Sequence, residues 1–249
     1  MTTSYAALCT DFYVNLKLGM KMDLPHERQT VLDLFDRVKK ECPGLERFRR
    51  FRGELALESG DRDGKSQWLA LRRNTVRAGC VNPLDLSVAY KMHKAILEIT
   101  PFYLSISPLD VDYLEVLFGF DLEAQGNHNA IVHDALLSGT FIGDLVDPNS
   151  TTPIDVQPLL GGALNEAMDL QVYYEVKTRT TPRQIKDKEF GDEPISVYVT
   201  LRKYSPCDNI KDLPASFDDL AGRAERLTER KVLPKLISPL REAIAASRF

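Results

Sequence analysis

The sequence predicts an α+β protein in which two tandem, related β-α-β-β-α halves pack as a pseudo-twofold pair around an antiparallel sheet. Short segments alternate apolar and polar residues, segments with helical spacing lie between them, and this order of elements occurs twice along the 249 residues. Hydrophobic residues make up 43% and charged residues 27% of the chain, which is ordinary globular composition. We expect the halves, 1–109 and 110–249, to form one integrated domain.

The first half begins with a predicted strand and helix. Residues 13–22 alternate apolar and polar side chains, which is typical of a half-buried strand. Apolar residues then recur at helical spacing over 31–38, and the Cys-Pro-Gly sequence at 42–44 ends that helix.

A hairpin and a second helix complete this half. Residues 47–58 and 67–77 are predicted as the two strands of the hairpin, because both are rich in apolar residues and a polar, glycine-containing segment separates them. The helix that follows is predicted to begin with Asn82 as its cap and to end before Pro101.

The second half repeats this order. A strand is predicted over 111–123 and a helix over 127–146. The second hairpin is formed by 169–178 and 195–204, and the last helix begins at 216–219.

Residue correspondences support an internal duplication. Tyr13 corresponds to Tyr113 and Gly19 to Gly119, and the segment 68–73 corresponds to 198–203. Any two units with the same order of elements share some similarity by chance, so the element order and these residues together carry the prediction.

Composition excludes several classes of protein. The formal net charge of −4 points to neither nucleic acid nor membrane as a partner, and no apolar run approaches the ~18–20 residues that cross a bilayer. Four cysteines lie far apart without a Cys-x-x-Cys pair: Cys9, Cys42, Cys80 and Cys207. Such scattered cysteines are typical of reduced thiols, so we expect a cytoplasmic protein without a metal site.

Catalytic motifs are missing from the sequence. It contains no Gly-x-Ser-x-Gly elbow, no phosphate-binding P-loop and no Gly-x-Gly-x-x-Gly dinucleotide loop. His128 and His133 are five residues apart, so they would not share one face of a helix as metal ligands. We therefore predict no catalytic residue and no cofactor and favour a non-enzymatic protein, although an active site assembled from distant residues stays open.

Charge segregation carries the first functional hypothesis. No lysine or arginine occurs in 95–176, so this acidic middle contrasts with basic flanks. We expect a non-enzymatic interaction or assembly protein in which the middle of one copy meets a basic flank of another copy or of a different protein. The candidate interface residues are Asp110, Asp112, Glu115, Asp121 and Glu123. The alternative is a solvated acidic face with no partner.

An arginine cluster carries a candidate anion site. If Leu55 lies opposite Leu69 in the first hairpin, the apolar face of the hairpin continues into four arginines, namely Arg47, Arg49, Arg73 and Arg77. Guanidinium groups bind phosphate or carboxylate with paired hydrogen bonds. The alternative is that these arginines form ion pairs at the rim of the sheet. Aromatic and basic residues alternate here, but an acidic chain without a ribonucleoprotein motif argues against nucleic acid.

Aromatic residues of the two hairpins carry the alternative function. Trp68, Tyr174 and Tyr198 are candidates to line a groove between the halves, in which a small anionic molecule would bind. Cross-strand aromatic pairs that only stabilise the hairpins are the competing interpretation. The direction of the acidic residues separates the hypotheses: assembly needs them in one outward patch, and ligand binding needs them around a concave groove.

Overall fold

A computed structural model of the protein describes residues 5–60, 63–147 and 150–247. The strands are β1 (Asp11–Met20), β2 (Arg47–Phe51), β3 (Glu54–Glu58), β4 (Ser66–Arg72), β5 (Thr75–Val81), β6 (Val111–Leu122), β7 (Leu159–Ala163), β8 (Leu170–Lys177) and β9 (Ile195–Tyr204). The α-helices are α1 (Arg28–Glu41), α2 (Leu86–Tyr103), α3 (His128–Leu136), α4 (Pro182–Asp187), α5 (Leu213–Leu227) and α6 (Ser238–Ala246). A π-helical segment, Thr228–Ile237, joins α5 to α6.

All nine strands lie in one antiparallel sheet, in the order β2-β3-β4-β5-β1-β6-β9-β8-β7. At its centre β1 pairs with β6, from Asp11 opposite Asp121 to Gly19 opposite Tyr113, followed by a register shift at Met20. The predicted α+β class and the antiparallel sheet are therefore confirmed.

The first predicted hairpin is wrong, because each of its long strands is itself a hairpin. The chain reverses at Arg52-Gly53, between β2 and β3, and again at Arg73-Asn74, between β4 and β5. Gly53 has a φ of +75°, a conformation that glycine adopts at little cost and that permits the tight turn. Leu55 consequently lies opposite Leu71, and Leu69 lies opposite Leu57.

The predicted cap of α2 is also wrong. Asp85 is the N-cap, and its carboxylate accepts a hydrogen bond from the backbone N–H of Val88. Asn82 lies between β5 and α2 and instead contacts β1, since its side-chain oxygen accepts a hydrogen bond from Phe12 N at 2.9 Å. The helix continues past Pro101 to Tyr103, so the proline did not end it.

In the second half the predicted strands agree with the structure, but the predicted helix is too long and the edge strand β7 is missing from the prediction. The predicted strands 111–123, 169–178 and 195–204 match β6, β8 and β9 to within two residues. The predicted helix 127–146 ends at Leu136, and Gly139 follows with a φ of +72°, outside the helical region. Strand β7 was not predicted.

One face of the sheet carries the hydrophobic core. Alternate residues of β1 are buried under the helices, among them Phe12, Val14 and Leu16, and α2 and α5 pack on this side against β5, β6 and β9. We call it the helix face and the opposite side the open face. Within the described residues, no helix has the length and apolar character needed to cross a membrane.

Candidate functional site: two sheet edges and an open face

The open face is flattened by aromatic rings that lie over glycines of the neighbouring strand. Tyr13 in β1 covers Gly119 in β6, and Tyr113 in β6 covers Gly19 in β1. A Cβ atom at either glycine would overlap the ring. Trp68 covers Gly79 in the same way. Glycine at these positions therefore lets the rings lie down on the sheet.

Arg202 stacks on one of these rings and is paired with a carboxylate of the same face. The guanidinium of Arg202 lies 4.8 Å from the ring centroid of Tyr113, and its Nη2 lies 2.6 Å from Oε2 of Glu115. Partial burial opposes the charge, but hydrogen bonds to Tyr204 and Glu115 raise the pKa of Arg202 above its ordinary value. The charge of Arg202 is thus compensated by residues of the open face itself.

A hydrogen-bonded carboxylate lies at one end of the open face. Asp121 accepts hydrogen bonds from the hydroxyls of Ser196 at 2.6 Å and Tyr13 at 3.4 Å. Burial is the main cause that raises the pKa of Asp121. Arg179 donates to the Tyr198 hydroxyl at 3.2 Å. These side chains form a polar network at this end of the open face, in which Asp121 is hydrogen-bonded to Ser196 and Tyr13.

Strand β2 forms a basic edge of the sheet. Its sequence is Arg-Phe-Arg-Arg-Phe, all five residues are exposed, and Arg52 follows in the turn. Among the residues that the structure describes, Arg47, Arg50 and Arg52 have no carboxylate within ion-pair distance, and Arg49 lies 3.8 Å from Glu58. We call β2 with Arg52 the basic edge.

An apolar groove of about 930 Å³ lies beside the basic edge, between the start of α1 and the β2–β3 hairpin. Val31, Phe48, Leu55 and Leu71 contribute apolar surface to it. Arg28, Arg50 and Arg52 contribute cations. We call this cavity the α1 groove.

The opposite edge of the sheet is strand β7, with the sequence Leu-Leu-Gly-Gly-Ala and all five residues exposed. Three acidic residues flank it, namely Asp155, Glu166 and Asp169, and none has an ion-pair partner within the described part of the chain. They belong to the stretch between Lys94 and Lys177 that contains no lysine or arginine. We call β7 with these carboxylates the acidic edge.

The four arginines predicted as an anion site do not converge. Arg47 and Arg49 lie on the open face of β2, and Arg77 lies on the open face of β5, stacked 5.5 Å from the Trp68 ring centroid. Arg73 lies in the β4–β5 turn and pairs with Asp23 at 2.8 Å. The cause is the pair of extra turns, which place these residues on different strands.

The predicted interface carboxylates are spread along β6. Asp110 and Asp112 lie at its beginning, whereas Asp121 and Glu123 lie at its end, about 35 Å away at ~3.3 Å per residue. Glu115 lies between them and is held by Arg202. These residues therefore do not form one patch.

The three predicted groove aromatics are also apart. Trp68 and Tyr198 share the open face but are separated by β5, β1 and β6, which is about 19 Å at the usual strand spacing. Tyr174 lies opposite Val199, which is buried on the helix face. The structure thus does not assemble these rings into one groove.

Histidine and cysteine offer no metal centre: over 5–60, 63–147 and 150–247, no three His, Cys, Asp or Glu residues lie close enough to hold an ion. His133 Nε2 lies 2.9 Å from the carbonyl of Gly143, and His128 Nε2 lies 3.2 Å from that of Ala124, so both are engaged in structural contacts. The four cysteines are free thiols.

Sequence reasoning missed the two edges as a pair. The Arg-Phe-Arg-Arg-Phe segment was visible, but it was placed inside a longer strand, and Leu-Leu-Gly-Gly-Ala has little β-propensity. The detectable signal was the location of this second segment in the stretch without lysine or arginine.

No protein-family model matches this chain, and no curated protein is significantly similar to it. The functional argument therefore rests on the geometry and charge of the described residues.

Proposed function

We propose that this chain is a non-enzymatic assembly protein whose copies associate head to tail through oppositely charged edges of one sheet. A single observation carries the proposal: the sheet begins at the basic edge and ends at the acidic edge, and every residue of the two terminal strands is exposed. In this proposal, the part of the acidic middle that makes the contact is the edge formed by β7, and the part of the basic flank that makes it is the edge formed by β2.

Uncompensated charge supports this assignment. Arg50 and Arg52 on the basic edge, and Asp155 and Glu166 on the acidic edge, have no ion-pair partner in the described ranges. Unpaired surface charges cost little while they are hydrated, and they attract an opposite surface over about one Debye length, ~8 Å at physiological salt. Complementary charge mainly sets orientation and encounter rate.

Opposite edges on one molecule determine the kind of assembly. A basic edge repels another basic edge, so contacts between two like edges are disfavoured. Contacts between unlike edges are heterologous and produce a closed ring or an open array, depending on the rotation between copies. We therefore expect assembly that grows beyond a dimer.

Internal duplication and a cytoplasmic location belong to the same proposal. The reciprocal packing of Tyr13 on Gly119 and of Tyr113 on Gly19 supports a pseudo-twofold relation at the β1–β6 pair. Strand order equates β9 with β5, and not with β4, which contains most of the segment 68–73 that the sequence aligns with 198–203. Superposition of β1, β5 and α2 on β6, β9 and α5 is expected to fit, and a poor fit would contradict the duplication. Free cysteines support a reducing compartment.

The alternative function, an anionic ligand held between the halves, has weaker support. The two segments join strand to strand through β1 and β6 rather than across an evident cleft. The α1 groove, which does combine apolar and cationic residues, lies within residues 26–73 of the first half.

Molar mass by light scattering after size exclusion tests the proposal at ~50 mM and ~500 mM salt, which bracket weak and strong screening. We expect oligomers of increasing mass at low salt and high protein concentration, with monomers at high salt. A monomer at both salt concentrations would overturn the proposal.

A further inference from the structure

The backbone of β7 has hydrogen-bonding groups that point away from the sheet. Leu164 N donates to Leu170 O at 2.7 Å, and Val176 N donates to Pro158 O at 2.9 Å. Since hydrogen-bonded and non-bonded pairs alternate along an antiparallel ladder, even-numbered residues of β7 bond to β8. The N–H and C=O groups of Leu159, Gly161 and Ala163 therefore point outward.

The same reasoning applies to β2. Ser59 N donates to Gln67 O at 2.8 Å, so odd-numbered residues of β3 bond to β4 and even-numbered residues bond to β2. These even residues lie opposite Arg47, Arg49 and Phe51. The outward backbone groups of β2 are consequently those of Phe48 and Arg50.

The two edge strands match in length and direction. Each has five residues, and they occupy the first and last positions of a nine-stranded sheet in which every neighbouring pair is antiparallel. They therefore run in the same direction. A second copy in the same orientation would bring its β7 alongside β2 as a parallel strand, with its helices on the same side.

We propose that β7 of one copy adds to β2 of the next as a parallel strand, with Phe48 opposite Leu160 of the second copy. This inference rests on the proposed head-to-tail assembly and specifies its contact. The N–H of Phe48 donates to the carbonyl of Leu159 of the second copy, and Gly161 of that copy donates back to the carbonyl of Phe48. Arg50 bonds in the same manner to Gly161 and Ala163 of that copy.

Side chains favour this register. Phe48 is 48% exposed and Leu160 is 69% exposed, and both lie on the helix faces of their strands. Parallel addition covers both side chains and places Leu160 beside the α1 groove. On the open face it brings Arg47 next to Leu159 of the second copy, whose cross-strand neighbour is Glu175, a carboxylate that lies 3.7 Å from Lys177 of its own strand.

Antiparallel addition gives a poorer match. The outward groups of the two strands would then pair directly, so Phe48 would lie opposite Leu159, Gly161 or Ala163 of the second copy. The helices of that copy would lie on the other side of the sheet, and Leu160 would lie on the side of Arg47 and Arg49. Phe48 and Leu160 would then lie on opposite sides of the joined sheet.

Disulfide formation between two single variants tests the register. Phe48→Cys and Leu160→Cys proteins are mixed at ~50 mM salt and oxidised with copper–phenanthroline. We expect a disulfide-linked dimer well above the background given by either variant alone, by the wild-type thiols, or by Phe48→Cys mixed with Phe102→Cys. Phe102 is exposed on α2 and belongs to neither edge.

Two outcomes overturn the proposal. One is linkage of Phe48→Cys to Ala163→Cys in preference to Leu160→Cys, since that pairing belongs to antiparallel addition. The other is background linkage in all mixtures although the wild-type mass still rises at low salt. In that case the proposed charge-driven assembly is retained and strand addition is wrong. A wild-type protein that stays monomeric at low salt contradicts both proposals.

A proline variant provides an independent test. The N–H of Ala163 points outward, so Ala163→Pro removes a donor to the second copy while leaving the hydrogen bonds to β8 intact. We expect Ala163→Pro to weaken low-salt association at least about tenfold, which is ~1.4 kcal/mol. The control Ala163→Val keeps the N–H and should associate like wild type. Equal association of the two variants overturns strand addition.

Discussion

The two edges of the sheet are opposite in almost every respect except length. The basic edge alternates arginine with phenylalanine, and its long cations project to both faces of β2. The acidic edge has no charge within β7 itself and carries its carboxylates in the flanking loops. An edge lined by long charged side chains resists non-specific strand addition, whereas a Leu-Leu-Gly-Gly-Ala edge leaves its backbone open.

This difference shows how one sheet can offer a strand edge without unrestricted aggregation. Two copies of the basic edge would place four arginines of one copy against four of the other, which is costly. A productive contact needs one edge of each kind. Assembly is therefore specified by charge and stabilised by backbone hydrogen bonds, and changes confined to the core should leave it unaltered.

Cancelling the net charge of the basic edge should have the largest effect. Arg50→Glu with Arg52→Glu breaks no intramolecular ion pair, because neither residue has a carboxylate partner among the described residues. We expect low-salt association to fall about a hundredfold, ~2.7 kcal/mol, as measured by light scattering. The control is Arg226→Glu with Arg230→Glu, two exposed residues that lie in α5 and in the π-helical segment after it. Equal losses in both proteins would show that net charge, and not the edge, matters.

Replacement of His93 should change the pH dependence of fold stability without changing assembly. It is fully buried beside Phe217, and neither ring nitrogen has a hydrogen-bond partner in the described part of the chain. Burial lowers the pKa of His93 to about 3. The unfolded chain binds a proton below ~6.5 and the folded chain does not, so stability is present above pH 6.5 and is lost as the pH falls toward 3.

Between pH 7 and pH 5 this histidine should lower the free energy of unfolding by about 2 kcal/mol. Urea unfolding at the two pH values measures the loss. In His93→Leu the corresponding loss should largely disappear, while in His26→Leu, at an exposed position, it should remain. The low-salt mass should be unchanged in both. The same pH dependence in His93→Leu as in wild type would contradict the assignment.

Gly119→Ala should have the smallest effect. Its Cβ would displace the Tyr13 ring and break the hydrogen bond from Tyr13 to Asp121, at a cost of about 1 kcal/mol. Gly126→Ala is unsuitable as a control, because Gly126 has a φ of +89°, a conformation that alanine rarely adopts. Gly222→Ala on α5 serves as the control instead. Thermal unfolding should show the loss only in Gly119→Ala. A change in low-salt mass would connect the open face to assembly and weaken the comparison.

The sequence contained most of the central sheet. Alternation in 13–22 and 111–123 predicted β1 and β6, because strands buried on one face show a period of two. The hairpin turns at Arg52-Gly53 and Arg73-Asn74 were missed because the apolar alternation around each turn reads as one longer strand. Local periodicity does not reveal where a strand reverses.

The candidate site was less predictable. The prediction that four arginines converge depended on the register assumed between 47–58 and 67–77. The two extra turns change that register, and Arg73 pairs with Asp23 instead. Charge segregation over 95–176 was visible, but only the sheet order shows that this stretch supplies the edge farthest from β2. Sheet order depends on contacts between distant residues, which composition and periodicity do not contain.

Mixing two charge-reversed variants tests the central claim most directly. One variant replaces all four arginines of the basic edge by glutamate, and the other replaces Asp155, Glu166 and Asp169 of the acidic edge by lysine. Each should be predominantly monomeric at ~50 mM salt, since the two edges of each variant then carry the same sign of charge. An equimolar mixture restores opposite charges at both contacts, so its mass should return to that of the wild-type protein. A mixture that stays monomeric, while the wild type assembles, would contradict pairing between these two edges.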